Sequence, residues 1–216
     1  MAGVRITSGL VGLHADLRVP PGASAVVLLA QAGGSVPPGQ NTGPVRDELA
    51  VSGVATLVVD LVTLDEWRLG LGDLSMEVGE LADRLSDTLD VVLRHPETRH
   101  LCPGCFANDT AAAAAFVAAA GRPATVEAIV SYEGRIDLAA TALEHVIAPT
   151  LLVVGAEPHA MRTRNENAYE RLRCRKRLEL VPGAAPTAPE HAAAAAVARL
   201  AAGWFRRFLG GAAGER

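Results

Sequence analysis

Three cysteines in 216 residues are too few for a disulfide framework, and their odd number agrees with a reducing compartment. Long hydrophobic runs are also missing: no apolar stretch reaches the roughly 18 residues of a membrane-spanning helix. The opening stretch "MAGVRITSGLVGLHADL" has neither the basic start nor the apolar run of a secretory leader. A cytoplasmic location is therefore expected, with no membrane partner. Positive charge is not in excess either. The formal net charge of −4 gives no case for nucleic acid as a partner. The densest basic stretch, Arg171 to Arg177 ("RLRCRKR"), lies among Glu166, Glu170 and Glu179 and reads as a solvated helix end. No internal repeat and no long linker interrupts the chain, so residues 1–216 are expected to form a single domain.

The cysteines themselves carry little chemistry. Cys102 and Cys105 form a C-x-x-C, but such redox pairs work when the first thiol sits at a helix N-terminus. Here the pair falls inside an apolar run ahead of the helix. A zinc site needs two further ligands, and Cys174 is the only other thiol. No metal and no cofactor are expected.

What is present is half hydrophobic and one fifth charged, the balance of a soluble globular protein. "VRITSGLVGLHADLRVP" reads as a leading hairpin. "SAVVLLA", "VATLVVDL", "GCFAND", "VEAIVSY", "TLLVVGA" and "RLELVPG" read as strands, the first as continuously apolar as burial on both faces demands. Between them lie helical stretches: "VRDELAVSG", ended by Gly53, "SMEVGELADRLSDTLDVVLRHP", "TAAAAAFVAAAGRP", "LAATALEHV", "RNENAYERLR" and "PEHAAAAAVARLAAGWFRRFL". In the second of these, Leu81, Leu85, Leu89 and Val92 mark one apolar stripe. Strands alternating with helices define an α/β fold, a mostly parallel sheet covered on both faces by right-handed crossovers. The alanine-rich helices are suited to a close approach to that sheet.

In such sheets chemistry collects at the carboxyl ends of the strands. That places candidates at Gln31 to Ser35, Asp60 to Asp65, Ala107 to Thr110, Tyr132 to Glu133, Glu157 to His159 and Ala184 to Pro186.

These positions, with "VVLLAQAGGS", "GVATLVVDLVTLDE", "GCFANDTAAAAAF", "APTLLVVGAE", "KRLELVPGA" and "VARLAAGWFRRFL", resemble the α/β-hydrolase superfamily in its compact, dienelactone-hydrolase-like branch. The likeness spans nearly all of residues 5 to 209. It implies a three-layer sheet with no separate cap domain, and it implies places for a catalytic triad. The nucleophile elbow G-x-S-x-G falls on Ala107-Asn108-Asp109-Thr110-Ala111, with Asp109 where the serine would stand. The family's acid falls near Pro158, beside Glu157. Its histidine falls on Pro186, and its "HG" after the first core strand on Gln31-Ala32. With all three triad positions changed, neither the hydroxyl nor the base of a serine hydrolase stands where it is needed.

Three readings follow. The favoured one is a cofactor-independent enzyme of a non-hydrolytic kind (a cyclase, dehydratase, isomerase or lyase, as in specialised metabolism), with Asp109 as general acid or base for a small-molecule substrate. Gln31, Ala32, Asn108, Thr110, Tyr132, Glu133, Glu157 and His159 would line its pocket. Gln31 and the backbone N–H groups near Ala32 and residues 108–110 would act on a carbonyl oxygen. The second is an inactive pseudohydrolase that binds a small molecule or partner, in which Asn108 or Asp109 merely caps the alanine helix. The third is a scaffold role through an exposed face, for example as a homodimer, for which the sequence carries no exposed apolar stripe. A hydrolase with Asp109 as nucleophile is a further alternative, as in haloalkane dehalogenases and epoxide hydrolases, but it needs a histidine to activate water. His191 falls in the last helix, which leaves His159 as the one histidine at a strand end.

Overall fold

In a computed structural model, residues 2–32, 42–69, 77–155, 159–181 and 190–210 are described. The leading hairpin is β1 (Ala2–Ser8) and β2 (Val11–Arg18). The core strands are β3 (Ala25–Gln31), β4 (Ala55–Asp60), β5 (Cys102–Asn108), β6 (Ala128–Tyr132), β7 (Thr150–Gly155) and β8 (Lys176–Val181). They form one eight-stranded sheet in the order β1-β2-β4-β3-β5-β6-β7-β8. Pairing is parallel from β4 through β8, and β1 and β2 join antiparallel at the β4 edge.

Alternation along the strands sends side chains into two apolar layers. Val26, Leu28 and Ala30 of β3 face α3 (Val78–Arg94) and α4 (Asp109–Gly121), while Val27 and Leu29 face α1 (Gly43–Val51) and α6 (Glu190–Leu209). Each α4 residue from Ala111 to Ala115 is at most 2% exposed, and side chains this small let the helix lie close between the sheet and α3. The expected close approach of the alanine helices is seen here. Gly53, at φ 73°, turns the chain out of α1 into β4.

Two elements depart from the sequence expectations. "LAATALEHV" is not a regular α-helix but a 3-10 segment, Ile136–His145, broken at Ala140, whose φ is 43°. A short helix α2, Leu64–Arg68, was not expected; it is started by a capping box in which the Thr63 hydroxyl accepts from Glu66 N and the Glu66 carboxylate accepts from Thr63 N.

The Glu66 carboxylate also binds Arg84 of α3. Arg84 Nη1 donates to Glu66 Oε2 at 2.9 Å and to Leu61 O at 2.7 Å; Nη2 donates to Glu66 Oε1 and Glu80 Oε1, each at 2.7 Å. The Arg84 side chain is 3% exposed. Since Leu61 N donates to Gln31 O at 2.7 Å, this ion cluster fixes the turn after β4 against the end of β3.

The four arginines of the basic stretch 171–177 are exposed, as expected of a solvated helix end. α5 (His159–Arg171) ends at the first residue of that stretch, and Lys176 Nζ donates to the carbonyls of Tyr169 and Leu172, capping the helix. Arg171 and Arg173 reach Glu144, and Arg175 lies over the Phe208 ring.

Cys102 and Cys105 are three apart on β5 and therefore belong to opposite faces of the sheet. Two sulfurs so placed cannot share a metal or close a local disulfide. Burial pushes the Cys105 thiol up to about 12. Mass-spectrometric mapping after iodoacetamide treatment at pH 8 is expected to leave Cys105 unmodified in the native protein and to find it modified only after denaturation. Among the described residues, no helix is long and apolar enough to cross a membrane.

Candidate functional site

The carboxyl end of β5 carries the candidate site. β5 runs straight into α4, and the first helical residue, Asp109, has φ 46°. Only glycine, asparagine and aspartate visit this left-handed region with any ease, and holding a side chain there costs about 1–3 kcal/mol. The conformation is that of a sharp strand-to-helix turn which thrusts its central side chain away from the sheet, and Asp109 is exposed. Its carbonyl is held by Arg135 N at 3.0 Å. Arg135 is turned toward Asp137, its Nε and Nη2 donating to the carboxylate at 3.1 and 3.2 Å.

Asn108 stands at the N-cap of α4, yet its side chain makes no capping bond, so of the two cap candidates of the pseudohydrolase alternative, Asn108 and Asp109, Asn108 does not cap the helix. It is paired in register with Tyr132 at the end of β6. Both border a cavity of about 240 Å³ whose other described walls are Pro44, Val45, Phe106, Ala194 and Val197. The Tyr132 hydroxyl is pushed up by burial and, secondarily, by the Glu133 carboxylate.

Glu133 follows with a second positive φ, 49°. Its backbone N donates to Val153 O, and its carboxylate accepts from Gly155 N, so it ties the end of β6 to the end of β7. Burial raises its pKa, an effect opposed by the Gly155 N–H. At Gly134 the chain is pressed against α4. A Cβ there would lie 2.1 Å from Ser131 Oγ and 2.7 Å from Ala112 Cβ. Asn165 of α5 fastens the same residue, its Nδ2 donating to Gly134 O at 3.0 Å. Gly134→Ala is therefore expected to destabilise the fold by about 1–3 kcal/mol in urea unfolding. Ser131→Ala, which removes a buried hydroxyl with no partner among the described residues, should recover only part of that loss, because Ala112 remains in the way.

The structure thus gathers Asn108, Asp109, Tyr132 and Glu133 at one end of two neighbouring strands. Thr110 is buried in the first turn of α4. Gln31 and Ala32 are buried at the end of β3, and like Asp109, Thr110 and Glu133 they are not among the cavity's described walls. The Gln31 amide donates to Thr42 Oγ1 at 2.9 Å. Glu157, Pro158 and Pro186 lie outside the described residues, as does the side chain of His159, whose backbone opens α5. His191 does fall in α6. The apolar walls were not found from sequence, because α1, β5 and α6 are brought together only by the sheet order. Among the described residues, no three His, Cys, Asp or Glu side chains converge on a metal-sized site.

An eight-stranded, mostly parallel sheet with a strained turn after a central strand defines an α/β-hydrolase-fold protein. A dienelactone hydrolase from Anabaena variabilis has the same structure, with a TM-score of 0.88 and 41% identity over 96% of this chain and 97% of that one. The chain belongs to the dienelactone hydrolase family. Est1E from Butyrivibrio proteoclasticus shares the fold at 14% identity, with a TM-score of 0.71 over 95% of this chain and 99% of its own. In sequence, the chain is also 36% identical, over 94% of its length, to a protein found in two strains of Mycobacterium tuberculosis, whose name assigns it provisionally to the phosphoribosyl transferases. The chain spans 45% of that relative. No family model matches.

Proposed function

We propose that the protein is a small-molecule enzyme on the α/β-hydrolase fold that works without a Ser-His-Asp triad, with Asp109 as its general acid or base. The reaction class is cyclisation, dehydration, isomerisation or carbon–carbon lysis. The observation that carries this reading is the left-handed backbone of Asp109. Strain at one polar residue, directly after the cavity-lining Asn108 and at the carboxyl end of a parallel sheet, is where function is expected. On this reading the positive-φ turn after β5 serves as the elbow, with a proton carrier in the nucleophile's place.

The same geometry suits Asp109 as a nucleophile, and experiment separates the two roles. Purified protein and Asp109→Asn are each incubated with a metabolite extract, and the products are compared by mass spectrometry. A metabolite consumed by wild type and spared by the variant, with no mass added to the protein, supports acid–base catalysis. Oxygen-18 entering Asp109 from labelled water in a single turnover would instead make it a nucleophile. Conversion by neither protein, with one compound retained on both, would overturn the enzyme reading in favour of a binding protein. The phosphoribosyl transferase name belongs to a protein more than twice as long as the region matched, and it supports no role for these residues.

A further inference from the structure

We propose that the ligand of this site is an uncharged, single-ring or short-chain carbonyl compound, its oxygen held by the Asn108 amide and the Tyr132 hydroxyl. This deepens the small-molecule reading above and rests on it. Size is the first argument. About 240 Å³ falls below the roughly 300–1,000 Å³ of pockets that take drug-sized ligands, so the bound molecule is compact.

Polarity is the second argument. Five walls are apolar, and the two polar ones, Asn108 and Tyr132, have no side-chain hydrogen-bond partner among the described residues. Both are half-buried, neighbours in register across β5 and β6. Two uncommitted donors on an apolar cavity suit one acceptor oxygen on an otherwise apolar body. A ligand without that oxygen would leave both groups unpaired.

Charge is the third argument. Among the described residues, no Lys, Arg or His lines the cavity. Arg46, beside Val45, is turned to Asp16 at 3.4 Å and Asp47 at 3.9 Å, and Arg135 is held by Asp137. The chain neighbours of the two donors are the carboxylates Asp109 and Glu133. A carboxylate or phosphate ligand would lose its hydration without gaining a cation, and an ammonium ligand would lose its own against apolar walls.

The test is an NMR titration of the ¹⁵N-labelled full chain, with the Asn108 side-chain amide as reporter. The probes are acetophenone, benzoate and benzylamine, which share a ring and differ in charge. Acetophenone is expected to bind at least about tenfold more tightly than either charged probe. Ala194→Phe, which projects a ring into the cavity from half-buried α6, should abolish that binding while leaving the rest of the spectrum native, and Tyr132→Phe should weaken it. Equal or tighter binding of a charged probe, no binding of acetophenone, or acetophenone binding unmoved by Ala194→Phe would each overturn the inference. Asp109→Asn is expected to bind acetophenone like wild type. Normal turnover by that variant would sink the acid–base role alone, whereas failed acetophenone binding would sink the ligand class alone.

Discussion

Arg84→Ala is expected to cost about 3 kcal/mol of stability, read as a lower urea midpoint at unchanged slope. Besides the exposed Glu80, the variant strands two less accessible acceptors at once. Leu61 O loses a 2.7 Å donor, and Glu66 loses both arms of a bidentate pair. The figure sits at the low end for broken buried pairs because the Glu66 side chain keeps about a fifth of its exposure. Acid gives a second signature. The hydrogen bonds from Arg84 hold the Glu66 carboxyl at about 2, against an ordinary 4.5. A depressed folded-state value contributes stability that is complete above pH 4.5 and lost as pH falls toward 2. The gap between wild type and Arg84→Ala should therefore narrow over that interval. A gap that stays constant down to pH 2 would show that the lost stability comes from packing.

Asp109→Asn is expected to lower the rate of whatever conversion the mass-spectrometric comparison reveals by about 10²- to 10⁴-fold, the usual worth of a positioned acid or base. Its unfolding free energy should change by no more than about 0.5 kcal/mol. The second half of that statement gives the first its force. Asparagine is isosteric and, like aspartate, tolerates a positive φ, so the turn, the Arg135 N–H on the residue's carbonyl and the cavity beside it all persist. A variant of unchanged stability that turned over at the wild-type rate would remove the carboxylate from the mechanism.

Much of the fold was legible because parallel sheets buried on both faces need continuous apolar strands, and "SAVVLLA", "VATLVVDL" and "TLLVVGA" satisfy that locally. The strand-to-helix junction at Asp109 was legible for the same reason: "GCFAND" ends where the alanines begin. The side-chain chemistry around it was less so. Arg84 lies in an amphipathic helix where an arginine reads as solvated, yet its partners Leu61 and Glu66 are 23 and 18 residues away. The α2 start was spelled out by Thr63 and Glu66 at capping-box spacing, but a five-residue helix gives no periodicity to draw attention to it. Ala140 defeats the helix expected over "LAATALEHV" through a backbone angle that alanine's high helix propensity argues against. Val45, Phe106 and Val197 form one wall only once three distant segments have folded together.

The sheet order also governs the sequence of events during synthesis. β2 and β3 each pair with β4, so the first three strands to leave the ribosome cannot complete that part of the sheet until residues 55–60 have followed them. From β5 onward each new strand docks on the one before it in the chain or, for β5, on β3, and the sheet grows outward one strand at a time. The nascent chain thus passes through a stage in which a hairpin and an apolar strand await a shared partner. A chaperone that shields apolar strands would act most usefully then, before the rest of the molecule exists.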